Sequence, residues 1–431
     1  MATLSDLLKE KQTLPIGNVY LKVINDKKYY YYQYFESGKR YTKIVDLKTA
    51  KDLARKIKRR NEIDELIKKI KANERKVVLS NNSLSLTGDV MCGDTPVATF
   101  ENGNLVSIDE KRAPLVIVRT HSLEAFLKLR VIDVSRTNAR LLKKALGLDV
   151  KEDHQISLYS YALSISDNYW FKPKHSKYKY DDINFKDDSL FDLSLKGDSI
   201  YFSGKPKISP ELTTTGSFEK GWKLVNRTWW LYKSGNDKQL FSELFCYHFA
   251  KLIKLWTAYY RYDNGYIKSK NFASAYNFEP LAALLGDNDN YQPVFDTLYK
   301  MNKNIARRYL FLTFFDAVIY NVDRHNENTG FIRNKTTGKI INLAPNFDNN
   351  LTLISTVDML NRPEKDGLIK LYVQFLKKNK VARELYKEIE FKDITKEDID
   401  NIIKEIPVKV DNIDKLSEIV LLRYNYLKNL F

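Results

Sequence analysis

The stretch Asn321–Phe331, NVDRHNENTGF, decides how this chain is read. It follows an apolar run, Tyr309–Tyr320, of helical periodicity and precedes residues patterned as a strand. Asp323 and Asn328 stand five positions apart. A second carboxylate, Asp348, comes twenty-five residues after Asp323 in APNFDNN, behind the apolar approach KIINLA. An Asp, an Asn and another Asp on neighbouring loops offer a carboxylate to a hydroxyl proton and oxygen ligands to a hard divalent cation. Two other readings of the loop fail on spacing. A calcium loop of the EF-hand type needs Glu at its twelfth position, where counting from Asn321 gives Ile332. A zinc-protease pair needs a second His four residues from His325, and there is none.

Upstream, TWWLYKSGN (228–236) reads as a strand of bulky residues ending in Lys233, whose ammonium can meet phosphate oxygens. Glu243, in the helical run FSELFCYHFAKLIKL, is placed to pair with that lysine. Paired strands follow in AYYRYDNGYIKSK, and Lys268 in the second of them joins Lys233, Glu243, Gly216 and Ser217 in the expected nucleotide-binding set. SPELTTTGSFEKGWK (209–223) brings Gly216, Gly221 and several hydroxyls to a phosphate-covering turn, although it matches neither G-x-G-x-x-G nor a Walker A pattern. The D-x-x-x-x-N spacing is that of a kinase catalytic loop. The order of parts is a hydroxyl/Gly turn, a strand Lys, a helix Glu, paired strands, the D-x-x-x-x-N loop and a final Asp. That is the order expected for phosphoryl transfer from ATP with Mg²⁺. Trp222, Trp229 and Trp230, at strand spacing beside Lys233, are expected in the core rather than in a base-stacking platform.

In these motifs the chain resembles the HipA-like kinases. Gly216–Lys220 matches their G-x-x-E-K loop, Lys233 their strand lysine, Asp323–Asn328 their D-x-H-x-x-N and Asp348 their downstream metal-binding Asp, over residues 85–431. The resemblance implies a serine/threonine protein kinase, the toxin of a toxin–antitoxin pair. Asp323 would orient or deprotonate the acceptor hydroxyl, Asn328 and Asp348 would hold Mg²⁺, and Lys233 would contact the nucleotide phosphates. It also implies a protein substrate such as an aminoacyl-tRNA synthetase, a separate antitoxin, and autophosphorylation among Thr213, Thr214 and Thr215, with Ser217 close by. Two positions depart from the family pattern: Asn349 and Asn350 follow Asp348 where Gly is usual, and the hydroxyl tract is Thr rather than Ser. A lipid or small-molecule kinase uses the same parts on the same fold, and a catalytically inactive nucleic-acid-binding protein is a further alternative.

The fold expected is α+β, two-lobed and protein-kinase-like. A strand-rich N-lobe spans 79–270 and a helical C-lobe 271–431, with an extra basic hairpin/helix module at 1–78. In that module two β-rich runs meet at Glu36-Ser37-Gly38. The helical run from Leu47 to Val77 carries twelve basic residues against five acidic ones. Asp167–Gly216 reads as a long connection whose aromatic residues pack onto the body. A chain of 431 residues exceeds a single core, and its net charge of +17 favours polyanions, so nucleic acid is an expected partner of the basic module. A tyrosine recombinase is disfavoured because none of the five His residues begins H-x-x-R. Cys92 and Cys246 make no disulfide framework and suit a reducing compartment. No apolar run is long enough to span a bilayer and the N-terminus has no signal pattern, so no membrane association and a cytoplasmic location are expected.

Overall fold

Four two-residue turns shape much of the β structure. Asn25-Asp26, Asn102-Gly103, Asn226-Arg227 and Asn264-Gly265 all have positive φ at both positions, with Asn leading each pair. That backbone twist matches the right-handed twist of the flanking strands, and Asn tolerates it because its short polar side chain bonds locally. The computed structural model describes residues 4–36, 39–81, 86–132, 136, 138–145, 153–197, 208–214, 218–352, 362–411 and 413–431. Contacts divide the chain into two compact units, Met1–Ser83 and Leu84–Phe431.

The first unit runs helix Leu4–Thr13, strands β1 (Asn18–Ile24), β2 (Lys27–Glu36) and β3 (Lys39–Val45), then helix Leu47–Asn81. The strands form an antiparallel meander in the order β1-β2-β3. The first of the two β-rich runs read from sequence is thus itself a hairpin, folded at Asn25-Asp26. Glu36 pairs with Lys39 across Ser37 and Gly38, which lie outside the described residues. Leu7 and Ile63 pack together with Leu14 as the small core between the two helices.

The second unit is a mixed α/β body, with three antiparallel sheets among the described residues. One has the order β6-β5-β4-β7, from β4 (Gly88–Cys92), β5 (Thr95–Glu101), β6 (Asn104–Ile108) and β7 (Tyr169–Pro173). The next has the order β10-β11-β9-β8, from β8 (Lys220–Val225), β9 (Thr228–Lys233), β10 (Tyr260–Asp263) and β11 (Tyr266–Lys270). The third joins β12 (Asn277–Pro280), β13 (Gly330–Arg333) and β14 (Ile340–Leu343). The span 167–216 is therefore not only a connection. Tyr169, Trp170 and Phe171 form β7 against β4, and all three rings are buried. Gly330 closes the loop that opened the sequence reading. A Cβ there would strike the Glu279 carbonyl oxygen, so β13 approaches β12 only without one.

Two helices carry the core. Asp237–Leu252 opens on a capping box between Asn236 and Gln239, which satisfies amides that the first turn leaves unpaired. Phe241, Phe245 and Phe249 repeat every fourth residue along it and stack at 6.1 and 5.8 Å. Phe249 then meets Phe315 of the helix Lys303–Ile319 at 6.0 Å. The latter is buried along most of its length and packs against helices Gly367–Lys378, Lys380–Lys387 and Leu416–Lys428. A helix enclosed in this way is apolar around nearly its whole circumference. Both cysteines are buried and unpaired with each other. Among the described residues no helix is long and apolar enough to cross a membrane.

Candidate active site

Lys233 is the last residue of β9, and its register with Lys220 on β8 and Ile267 on β11 turns it toward the Asp237–Leu252 helix. Its ammonium donates at 2.6 Å to Glu243 Oε1 and at 2.6 Å to Asp348 Oδ1. The other Glu243 oxygen, Oε2, accepts from the Asn349 amide at 3.1 Å, so the helix carboxylate grips both the strand lysine and the loop of Asp348. Burial opposes the charge on Lys233, but the Asp348 and Glu243 carboxylates outweigh it and hold its pKa well above the usual lysine value. Burial likewise opposes ionisation of Asp348, yet Lys233 and Lys220 keep its carboxyl well below the ordinary range. Asp348 itself has left-handed backbone (φ 62), and its amide donates to Tyr260 Oη at 3.0 Å. Such a conformation in a non-glycine residue persists only where its surroundings over-determine it.

The loop of Asp323 begins where the Lys303–Ile319 helix stops at Tyr320 in left-handed conformation. Asp323 donates its amide to Asn321 Oδ1 at 3.2 Å, and its carbonyl accepts from Asn328 Nδ2 at 3.0 Å. The five-residue spacing thus closes a turn on itself. With Nδ2 committed, the Asn328 side-chain oxygen, Oδ1, is the atom left to act as a ligand. Asp323 is half-buried, and that burial raises its pKa, helped by the negative charge of Asp348 and opposed by His325.

Sequence reasoning missed Arg324, the residue that joins the two loops. Its guanidinium forks onto Asp316, with Nε to Oδ2 and Nη2 to Oδ1 both at 2.9 Å. It also donates to the carbonyls of Asn328 and Phe347 at 2.8 and 2.9 Å, and to Asn346 Oδ1 at 2.7 Å. The signal was in the sequence. Asp316 interrupts a helical run that is otherwise apolar but for Thr313, and a carboxylate buried there requires a cation.

Lys220, Lys233, Asp323, Asn328 and Asp348 line one cavity of about 360 Å³, together with the apolar Leu231, Phe272, Phe278 and Phe347. That volume lies within the range of small-molecule sites. Thr213 and Thr214 also line it, but their hydroxyls are buried and engaged. Both donate to the Pro210 carbonyl, at 3.3 and 2.8 Å, and Thr214 also accepts from Trp222 Nε1 at 3.0 Å. Thr215, Gly216 and Ser217 lie outside the described residues.

Lys268 is not at the site: it pairs with Tyr232 in the ladder, on the sheet face opposite Lys233, and its ammonium bonds Asp263 Oδ2 at 2.6 Å. In its place stands Lys220, the last residue of the G-x-x-E-K match, opposite Lys233 across the β8–β9 ladder. Burial pushes Lys220 down to about 8 against the attraction of Asp348.

No protein-family model and no curated protein matches this chain. Twenty chains of solved structures align with it, the following two among them. One is a Helicobacter pylori proinflammatory kinase, CtkA, at 17% identity and a TM-score of 0.34, over 49% of this chain and 90% of that one. The other is a chain of the Shewanella oneidensis MR-1 toxin–antitoxin complex of HipA, HipB and operator DNA. It aligns at 13% identity and a TM-score of 0.49, over 80% of this chain and 98% of that one.

The donor set fits Mg²⁺. Among the described residues no group of three His, Cys, Asp or Glu side chains could hold a metal by themselves. Mg²⁺ does not require such a cage, because it keeps waters and is commonly bound by one or two protein oxygens plus substrate phosphates. Asp348 and Asn328 line the same cavity, and the carboxylate of the one and the side-chain Oδ1 of the other are oxygens of that kind.

Proposed function

We infer that this protein is an ATP-dependent kinase that phosphorylates a Ser or Thr hydroxyl of a protein. The observation that carries this reading is the Lys233 ammonium bonded at 2.6 Å to both Glu243 and Asp348, in the cavity that Asp323 and Asn328 line. A strand lysine paired to a helix glutamate beside a metal-binding aspartate is the arrangement on which kinase activity depends. ATP with Mg²⁺, when bound, supplies the γ-phosphoryl group and neutralises charge on the phosphates. Lys233 and Lys220 offer cationic donors to the phosphates, and Asn328 and Asp348 offer oxygens to the metal. Glu243, anchored also by the Asn349 amide, keeps Lys233 in position when its bond to Asp348 is exchanged. Asp323, with its raised pKa, orients the acceptor hydroxyl and takes its proton. The phenyl rings of Phe272, Phe278 and Phe347 give the base an apolar seat and keep water out. Residues 79–270 and 271–431 are read as the two lobes around this cleft. The choice of a protein acceptor, of a synthetase as substrate and of an antitoxin as partner follows the motif resemblance.

The test is incubation with γ-labelled ATP and cell lysate, resolved by gel and by lipid extraction. Labelled protein bands are expected, and Asp323→Ala or Asp348→Ala should lower the rate at least about 10²-fold. Label confined to lipid or small molecules would move the acceptor class. An Asp348→Ala protein with unchanged rate and unchanged Mg²⁺ dependence would remove the site.

A further inference from the structure

The first unit, none of whose residues is among those lining the cavity of the candidate active site, carries a disproportionate share of the charge. Residues 1–83 contain twenty Lys or Arg and ten Asp or Glu, so +10 of the net +17 lies in under a fifth of the chain. In the helix Leu47–Asn81, several of those cations are engaged internally. Arg59 bonds Glu10 at 2.7 Å, Arg60 donates to the carbonyls of Lys11 and Leu14 at 2.6 and 2.7 Å, and Arg55 and Lys56 both meet Asp52 at 2.7 Å. They fasten the N-terminal segment to the helix and balance its acids.

The meander offers a different surface. Register aligns Asn18, Gln33 and Thr42 in one cross-strand row and Tyr20, Tyr31 and Ile44 in the next but one along each strand, so both rows share a face. Lys22 lies on the same face, 5.6 Å from the Tyr31 ring centre, and Arg40, opposite Phe35 in the ladder, lies at its other end. Asn18, Lys22, Arg40 and Thr42 are exposed, and Ile44 is 65% exposed. Amide, hydroxyl and guanidinium groups are the side-chain types that read base edges, with an apolar group to meet a thymine methyl.

We propose that this sheet face is a duplex-DNA-binding surface that enters the major groove. Three strands at about 4.8 Å spacing put roughly 10 Å between the outer two, within the roughly 12 Å width of the B-form groove. The A-form major groove of duplex RNA is too narrow to admit such a face. Single strands are also disfavoured. Tyr20 and Tyr31 stack on each other at 5.5 Å with rings 12° from parallel, so their faces are turned to each other rather than offered to bases. The polyanionic duplex complements the charge of the unit, and the proposal stands whether or not the kinase reading does.

The experiment is fluorescence anisotropy of the full chain with labelled duplex DNA, duplex RNA and single-stranded DNA of equal length, over a series of salt concentrations. Duplex DNA should bind tightest. The pair Lys22→Glu and Arg40→Glu should weaken it by at least about tenfold and reduce the salt slope by about two. The helix pair Lys51→Glu and Lys58→Glu should have the smaller effect. Gln33→Ala with Thr42→Ala, a milder change, should retain bulk affinity while relaxing the sequence preference found by site selection. Circular dichroism and phosphotransfer should match the parent in all variants. Binding unaffected by the sheet pair, a loss carried by the helix pair, or equal affinity for duplex RNA would overturn the proposal.

Discussion

Asp323 and Asp348 are the same residue type driven in opposite directions. Burial raises the Asp323 carboxyl, whereas Lys233 and Lys220 overcome burial and hold Asp348 ionised. Environments that split two carboxylates in this way divide their work: one is suited to accept a proton, the other to remain a metal-binding anion. As pH falls, Asp323 therefore protonates first, while Asp348 is still charged. The rate of phosphotransfer (kcat/KM) should climb with pH through an acidic limb that lies above the usual Asp value, and Asp323→Asn should abolish that limb along with most of the rate. A limb at the ordinary carboxylate pKa would contradict the role given to Asp323.

At the scale of elements, the site depends on how the Lys303–Ile319 helix is joined to the two loops that follow it. The join is Arg324, buried against Asp316 and spread over the Asn328 and Phe347 carbonyls. Breaking such a pair from one side strands a buried charge. Asp316→Ala should therefore destabilise the protein by roughly 3–5 kcal/mol in urea unfolding, and it should disorder the site as well. Arg324→Lys should keep the charge but lose the fork, with Mg²⁺-dependent activity falling further than stability. The Asp237–Leu252 helix is the more legible element. The helical run from Phe241 and its Glu243 were read from the sequence, because periodicity is a local property, whereas the first turn and its Asn236–Gln239 capping box were not.

At the scale of the molecule, the chain divides into the basic unit 1–83 and the body 84–431, and each proposed activity falls within one of them. Every side chain of the proposed kinase site belongs to the body. Deleting residues 1–83 should therefore leave labelled-ATP transfer intact and abolish affinity for duplex DNA, measured on the same preparation. Loss of both together would show that the two readings are not separable.

What the amino-acid order alone determined was local or serial: the helical runs of the C-terminal half and the succession Lys233, Glu243, Asp323, Asn328, Asp348, whereas the turn at Asn25-Asp26 inside the first β run was not read from it. Spacing in a strand says which residues share a face, but not which strand pairs with which, or in what register. For that reason Lys268 was assigned to the site and belongs to the opposite face, while Lys220 was quoted in a motif and overlooked as a cation at the cavity. The strand β7 hid in an apparent connection because its partner β4 lies about eighty residues upstream. Only the tertiary structure decided these points. Pairing, burial and the fan of bonds around Arg324 are set by contacts between residues far apart in sequence, where no local preference carries the information.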